Sequence, residues 1–348
     1  MVSLELHLTD TCNLHCGHCY AGYSSDNHTF LSIRNIKKAL GDFQKLGDCI
    51  SECPTIALSG GEPLLHPDII WIIDYCASNF PYLTILTNGR ALTDDLLSLF
   101  ADFGNVGVQV SIEGNEYIHD KIRGIGTYKE VLSRIDSLGQ HGINCRCAMT
   151  VNALNLSYME DYINICNDLH AHPTFHRYIP LGRGRETMQL SAQDNAQMFS
   201  KLYSLNREFG ILPHCNLCSF ITSGGMSPEH HPCYIGTSCL VIDHQGAIVP
   251  CPYLGNPIAH ISESDLSEVY FSSDLLRKFR ERDYGEICRT CPYTLQCGGC
   301  RALSFAYTGD MFADEPLCPR VIESKKRINL RLGLARFGRK FLFRSSRF

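Results

Sequence analysis

Apolar and polar residues alternate over Leu4–Leu8, and short apolar runs return at Thr55–Leu58, Leu83–Leu86, Val106–Ile112, Cys145–Val151 and Thr174–Ile179. Runs of this length bounded by turn residues predict strands. Between them, apolar residues recur at helical spacing over Ile33–Leu46, Asp68–Ala77, Thr93–Phe103, Tyr128–Leu138 and Leu156–Leu169. Strands alternating with helices of about 10 to 15 residues imply βα units on a parallel sheet, hence an α/β fold. The pattern contains six such strands. One more helix is predicted over Ser191–Phe209, after which regular alternation stops.

A chain of 348 residues suffices for one large domain or two ordinary ones. Its hydrophobic fraction of 44% and charged fraction of 19% are those of a soluble globular protein. Nineteen cysteines change that picture. They form either a disulfide framework or a set of metal ligands. Disulfide scaffolds belong to short secreted domains, whereas this chain is long and opens without a signal peptide. No apolar run reaches the roughly 20 residues of a membrane-spanning helix. A reducing cytoplasm and metal-bound thiolates are therefore expected, and nothing in the composition calls for a nucleic-acid partner.

The net charge of -5 conceals an asymmetry. Nine of the 31 basic residues lie between Lys325 and Phe348 with no acid among them, leaving the rest of the chain at -14. Leu330, Leu332, Leu334, Phe337, Phe341, Leu342 and Phe343 interleave with these charges. Such a tail suits an anionic membrane surface or an acidic partner. It suits equally a terminal helix packed on the body, although Gly333 and Gly338 weaken any helix there.

Candidate chemistry starts just past the first strand, at Cys12-Asn13-Leu14-His15-Cys16-Gly17-His18-Cys19-Tyr20. Three thiolates at C-x3-C-x2-C spacing suit a soft, thiophilic metal centre. An iron–sulfur cubane normally takes four cysteines, so a local set of three leaves one iron without a protein ligand. A zinc site would need a fourth ligand, which His15 or His18 could supply. One βα unit later, the second strand runs into Ser59-Gly60-Gly61-Glu62-Pro63. Two glycines there let the backbone approach a ligand closely, and Glu62 adds an acceptor at a strand end.

Together the two motifs resemble the radical S-adenosylmethionine (SAM) superfamily, in which an aromatic residue follows the third cysteine and a GGEP motif binds the amino group of SAM. The resemblance implies a partial (β/α)6 TIM-like barrel with its chemistry at the C-terminal strand ends. It implies a [4Fe–4S] cluster on Cys12, Cys16 and Cys19, and SAM contacts from Tyr20, Ser59, Gly60, Gly61 and Glu62. By the same mapping Thr87 and Asn88, at the end of the third strand, and Ser111 and Glu113, at the fourth, are expected cofactor or ribose contacts. Arg123 resembles the arginine that pairs with the SAM carboxylate through two parallel hydrogen bonds. The arginines of Arg177–Gly184, which closes the sixth strand, are expected either to meet an acidic substrate or to solvate the barrel rim.

Ten of the nineteen cysteines lie between Cys215 and Cys318. Cys233-x5-Cys239-x11-Cys251 is followed by Cys288-x2-Cys291-x5-Cys297-x2-Cys300-x17-Cys318, eight cysteines or two sets of four. Four is the number for a fully ligated cubane, or for a zinc site. The spacing resembles the SPASM extension, which carries two auxiliary [4Fe–4S] clusters. Carried over, its interleaved pattern assigns Cys233, Cys239, Cys251 and Cys300 to the first and Cys288, Cys291, Cys297 and Cys318 to the second. The family's C-x3-C at the last step is shortened here to x2 before Cys300. Most remaining cysteines (Cys49, Cys53, Cys76, Cys145, Cys147, Cys166) are expected to be small core residues. The Cys215-x2-Cys218 pair could be a further ligand or redox pair. The implied domains are a barrel over 1–190, a linker helix and loop over 191–230, a cysteine-rich auxiliary-cluster domain over 231–324 and the basic tail over 325–348.

The resemblance implies reductive cleavage of SAM to a 5'-deoxyadenosyl radical that abstracts hydrogen from an unreactive C–H bond, with three [4Fe–4S] clusters and an electron donor such as a reductase, flavodoxin or ferredoxin. Relatives with the SPASM extension mostly modify peptides or proteins, and others modify tetrapyrrole side chains in haem formation. Pro252, rather than an acid, follows Cys251, which argues against the sulfatase-maturing branch. Because the chain starts at its first strand, a leader-binding domain is expected to be a separate protein. Gly299-Cys300-Arg301-Ala302 and Thr308-Gly309-Asp310 resemble the tetrapyrrole branch, and peptide modification is the expected activity with tetrapyrrole chemistry as its alternative. A non-catalytic iron–sulfur carrier, a third class, needs neither the Gly60-Gly61-Glu62 turn nor an open cluster.

Overall fold

The computed structural model describes residues 1–184, 188–209, 233–295 and 297–325. The Cys215–Cys218 pair, most of the linker and nearly all of the basic tail lie outside the described residues. These described residues fall into two compact units. The first holds 1–184, 188–190, 204–209 and 234–281, and the second holds 191–203, 233, 282–295 and 297–325.

The first unit is built on βα repeats. Strands β1 (Val2–His7), β2 (Pro54–Ser59), β3 (Leu83–Thr87), β4 (Val106–Ser111), β5 (Asn144–Val151) and β6 (His172–Arg177) alternate with helices. Those helices are α1 (Ile33–Ile50), α2 (Ile69–Asn79), α3 (Asp94–Phe103), the pair α4 (Glu116–Arg123) and α5 (Thr127–Gln140), and α6 (Met159–Asp168). The six strands lie side by side in chain order and every neighbouring pair is parallel. When sequential parallel strands are joined by crossovers of one hand, all helices fall on one face. Val2, Leu4 and Leu6 of the first strand, and Leu8 just past it, are fully buried, whereas Ser3 and Glu5 on the opposite face are half-buried. That division into an aliphatic face under helices and a more polar face is the arrangement of an open α/β barrel.

Local sequence explains the elements. Helix α1 buries Ile36, Ala39, Leu40, Phe43 and Leu46, which recur every three or four residues. Its cap residue Ser32 accepts a hydrogen bond from the Asn35 amide at 3.2 Å. Helix α4, which the apolar pattern does not announce, is capped by Asn115, whose side chain accepts from the Ile118 amide at 3.2 Å. The sixth strand begins and ends two residues before the segment that its apolar run suggests. It is the edge of the sheet, a position where Pro173 is tolerated, and the chain departs after Arg177.

The sheet continues on the other side of β1. Strand β7 (Cys239–Ile242) pairs parallel with β1, and β8 (Ala247–Val249) and β9 (Ala259–His260) follow antiparallel. Helices α8 (Leu266–Ser272) and α9 (Asp274–Glu281) close this unit; α8 packs on α1, where buried Asp42 accepts from the Leu266 amide at 3.4 Å and from Lys38 Nζ at 2.6 Å. Helix α7 (Ala192–Phe209) has its first residues in the second unit and its last in the first. The second unit contains α10 (Glu286–Arg289) and α11 (Arg301–Thr308) joined by cysteine-bearing turns. Every described cysteine is a thiol, with no disulfide among them. Cys76, Cys145, Cys147 and Cys166 are buried as core residues, while Cys49 and Cys53 are exposed at the end of α1 and the approach to β2. Among the described residues no helix is long and apolar enough to cross a membrane.

Candidate active site: a three-thiol loop at the strand ends

The ladder between β1 and β2 does not stop where the strands do. Leu8 donates to the Ser59 carbonyl at 2.9 Å, Gly61 to the Thr9 carbonyl at 2.7 Å and Glu62 to the Thr11 carbonyl at 2.8 Å. The chain leading into Cys12 is thereby bonded to the Gly60–Gly61 turn. A side-chain carbon on either glycine would overlap backbone atoms of Thr9 or Thr11, and Gly60 has φ +129°. The two glycines are thus required by backbone packing, independently of any ligand.

Two further contacts fix the rest of the loop. Gly17 donates to the Ile122 carbonyl at the end of α4 at 2.9 Å, and Arg183 donates from its amide to the Cys19 carbonyl at 2.9 Å. The Arg183 side chain reaches the Cys16 carbonyl with Nε at 3.1 Å. This guanidinium therefore clamps the cysteine loop, a role different from both sequence expectations for the sixth strand end. Gly182, at φ +59°, passes so close to the Tyr20 carbonyl that no side chain fits there. Thiols of Cys12, Cys16 and Cys19 all project from this one pinned segment.

Two buried carboxylates flank it, and their environments differ. Glu62 is fully buried. Its Oε1 accepts from Thr87 Oγ1 at 2.8 Å and from the Leu64 amide at 3.2 Å, and its Oε2 from the Asn88 amide at 2.8 Å. Burial still pushes it up to about 7 against these hydrogen bonds. The Asn88 side chain donates to Asn13 Oδ1 at 2.8 Å and points at Cys12 Sγ, 3.9 Å away. Glu113, equally buried, is held down to about 2 despite that burial, because His18 and Arg123 supply charge and hydrogen bonds. Arg123 donates to Oε1 from Nε at 3.0 Å and from a terminal nitrogen at 2.6 Å. His18 Nε2 lies 2.9 Å from the same oxygen, and Thr150 and Asn155 donate to Oε2 at 3.1 and 3.3 Å. The second terminal nitrogen of Arg123 points at Cys16 Sγ, 3.8 Å away.

The structure therefore gathers the expected residues into two sets: Cys12 with Asn88, Thr87 and Glu62, and Cys16 with Arg123 and Glu113. Ser59 and Ser111 stand at the ends of β2 and β4. The Tyr20 ring lies 4.3 Å, centroid to centroid, from Tyr253. Sequence reasoning did not find the clasp on the far side of the loop. There Asp10 accepts from the Thr29 amide at 2.8 Å and faces His244 Nε2 at 3.5 Å, while His244 Nδ1 meets the Tyr23 hydroxyl at 3.3 Å. Asp10 and Tyr23 lie more than 200 residues from His244, and no local spacing links them.

The donor set fits an iron–sulfur centre. Burial pushes the Cys12 thiol up to about 11 and raises Cys16 as well, so both need a bound cation to persist as thiolates. Cationic and amide donors aimed at two of the sulfurs are what a cluster with negatively charged ligands requires. His18 Nδ1 is buried with no partner among the described residues, and Glu62 has no cationic partner at hydrogen-bonding distance. Glu62 suits a positively charged group, and His18 Nδ1 a polar one, on a ligand beside the loop.

The radical SAM superfamily model matches residues 6–166, and the model of the SPASM iron–sulfur cluster-binding domain matches residues 233–292. The chain belongs to the radical SAM superfamily and carries a C-terminal SPASM domain. These two domains imply SAM and [4Fe–4S] clusters as cofactors. The chain is 28% identical to the AdoMet-dependent heme synthase of Methanosarcina barkeri, over 89% of this chain and 94% of that protein. It is 24% identical to the mycofactocin maturase MftC of Mycobacterium tuberculosis, over 88% of this chain and 80% of that one. The structure of Streptococcus suis SuiB bound to its precursor peptide SuiA superposes with a TM-score of 0.73 at 14% identity, covering 91% of this chain and 76% of SuiB. That likeness shows the same α/β fold with an open parallel sheet.

Two substitutions test this geometry. Gly61→Ala forces a methyl group into the Thr11 carbonyl and is expected to cost the loop its metal, about four irons on a cubane count, whereas Gly41→Ala in open space on α1 leaves iron content unchanged. Iron assay after anaerobic reconstitution reads the difference. Glu113→Gln strands the Arg123 guanidinium without its counter-charge and is expected to destabilise the fold by about 3–5 kcal/mol, measured by urea unfolding of the loaded protein. A loss under about 1 kcal/mol would show that the pair is not the buried lock described here.

Proposed function

We propose that Cys12, Cys16 and Cys19 hold one [4Fe–4S] cluster with an open iron, that eight further cysteines hold two auxiliary clusters, and that the enzyme oxidises a peptide or small protein. When bound, the first cluster supplies the electron that cleaves SAM to methionine and a 5'-deoxyadenosyl radical, which takes hydrogen from the substrate. The observation that carries the reading is the pinned three-thiol loop with a buried, cation-free carboxylate on one side and a buried arginine on the other. A carboxylate offers about four acceptor sites, and three on Glu62 are taken, so one remains for the SAM amino group. The terminal nitrogen of Arg123 that faces Cys16 is the donor available to the SAM carboxylate. The Gly60 and Gly61 backbone, with Ser59, Thr87, Asn88, Ser111, Glu113 and Tyr20 around the strand ends, forms the rest of the cofactor cradle.

Cys288, Cys291, Cys297 and Cys318 belong to one unit, and Cys233, Cys239, Cys251 and Cys300 are the second set of four. With every ligand position filled by cysteine, both sets suit electron transfer. A flavodoxin- or ferredoxin-type carrier is the proposed external donor, in a reducing cytoplasm. Support for a peptide substrate comes from two relatives, one named a maturase and one seen with its precursor peptide. A tetrapyrrole is the second reading, favoured by the full-length similarity to the heme synthase.

The test is anaerobic incubation of reconstituted protein with SAM and dithionite. Formation of 5'-deoxyadenosine is expected from the native chain and is expected to vanish when Cys12, Cys16 and Cys19 are all changed to Ala, with iron falling from about twelve to about eight per chain. No 5'-deoxyadenosine from fully loaded native protein would mark an electron carrier instead. With turnover established, an increase in 5'-deoxyadenosine on adding candidate peptides supports the first substrate reading, and an increase on adding a tetrapyrrole alone overturns it.

A further inference from the structure

Cys288, Cys291, Cys297 and Cys318 line a single half-open pocket in the second unit. Ile287 and Val321 complete its apolar wall, and Val321 and Cys318 form a small buried core with the neighbouring thiols. Four cysteines lining one pocket, with apolar side chains between them, are the ligand number of a fully ligated cluster. Two of the sulfurs receive hydrogen-bond donors. The Gly299 amide lies 3.4 Å from Cys297 Sγ, and a terminal nitrogen of Arg320 lies 3.6 Å from Cys291 Sγ.

The charges around the cavity are unequal in reach. Asp314 and Glu315 accept from the amides of Cys288 and Cys300, each at 2.7 Å, and Asp314 also lies beside the Cys288 thiol. Arg301 is buried, donates to the Met311 and Ala313 carbonyls and lies over the Tyr284 ring. Arg320 places a cationic donor on a ligand sulfur here. Its guanidinium also rests 5.4 Å from the centre of the Tyr293 ring, and no carboxylate pairs with it among the described residues.

Arg123 in the first unit makes the same kind of contact, 3.8 Å from Cys16 Sγ, with the opposite electrostatic setting. Glu113 takes two hydrogen bonds from it and opposes its field. Reduction adds one negative charge to a cluster and its thiolates. An uncompensated cation at a sulfur favours that reduced form and raises the potential, while a neutralised one leaves it low. We propose that Arg320 sets the potential of the cluster on Cys288, Cys291, Cys297 and Cys318 well above that of the cluster on Cys12, Cys16 and Cys19. Arg320 is a positioning residue for electrons rather than for substrate. This rests on the reading that both sets of thiols hold [4Fe–4S] clusters, and the experiment separates the two claims.

EPR-monitored redox potentiometry of the full, anaerobically loaded chain reads each midpoint. In native protein the midpoint lost on changing Cys288 and Cys291 to Ala is expected to lie above the midpoint lost on changing Cys12, Cys16 and Cys19; the reverse order overturns the proposal. Arg320→Gln is expected to make that upper midpoint more negative by at least threefold in the one-electron equilibrium constant, about 28 mV at 59 mV per tenfold, leaving the lower one in place. Arg320→Lys, which keeps the charge, is expected to shift it less. An unmoved midpoint in iron-replete Arg320→Gln protein overturns the assignment of Arg320. The underlying cluster reading fails by a different sign, iron content that does not drop in the Cys288, Cys291 double variant.

Discussion

The structure turns on a few backbone hydrogen bonds that extend the central ladder beyond its strands. Gly61 and Glu62 bond to Thr9 and Thr11, Gly17 bonds to Ile122, and Arg183 bonds to Cys19. A loop of small and polar residues without these contacts would sample many conformations, and ordering it would cost on the order of 1–2 kcal/mol per residue. Here strand ends do the ordering, because the loop is treated as one more strand. That is why the glycines matter: their lack of a side chain lets β2 run against the segment just before Cys12.

With the backbone fixed, chemistry is divided between two carboxylates that share burial and differ in company. Glu62 faces donors but no cation, and burial leaves it readily protonated near neutrality. Glu113 faces Arg123 and His18 and stays ionised. The first is an acceptor awaiting a positive ligand, and the second is a lock that orients an arginine at a sulfur. Two such groups on neighbouring strand ends provide contrasting polar environments on either side of the thiols. In the second unit Arg320 meets a sulfur without any such lock. The same residue type thus meets a thiol with a carboxylate partner in one unit and without one among the described residues in the other.

Much of this was legible in the residue pattern, and the rest was hidden for physical reasons. Strand and helix order follow from periodicity because each strand buries alternate residues against helices. The three-thiol loop and Gly60–Gly61 are legible because their spacing is local. Partners are not. Nothing near Arg183 in the chain says that it clamps Cys16, and His244 meets Tyr23 and Asp10 only through the sheet that joins β7 to β1. Strand β7 and its hairpin are only two to four residues each, too short for a period to register. The shifted bounds of β6 go with its place at the edge of the sheet, where Pro173 is tolerated and only one neighbour fixes where pairing ends.

The central claim is that one cluster keeps an open iron because its loop offers three thiols and the neighbouring strand ends offer a SAM cradle. The most direct measurement is EPR of the reduced, anaerobically reconstituted protein before and after SAM is added. The account predicts that one cluster signal changes on SAM addition while the auxiliary signals keep their form. Zinc in place of iron, or cluster signals that are all indifferent to SAM, would contradict it.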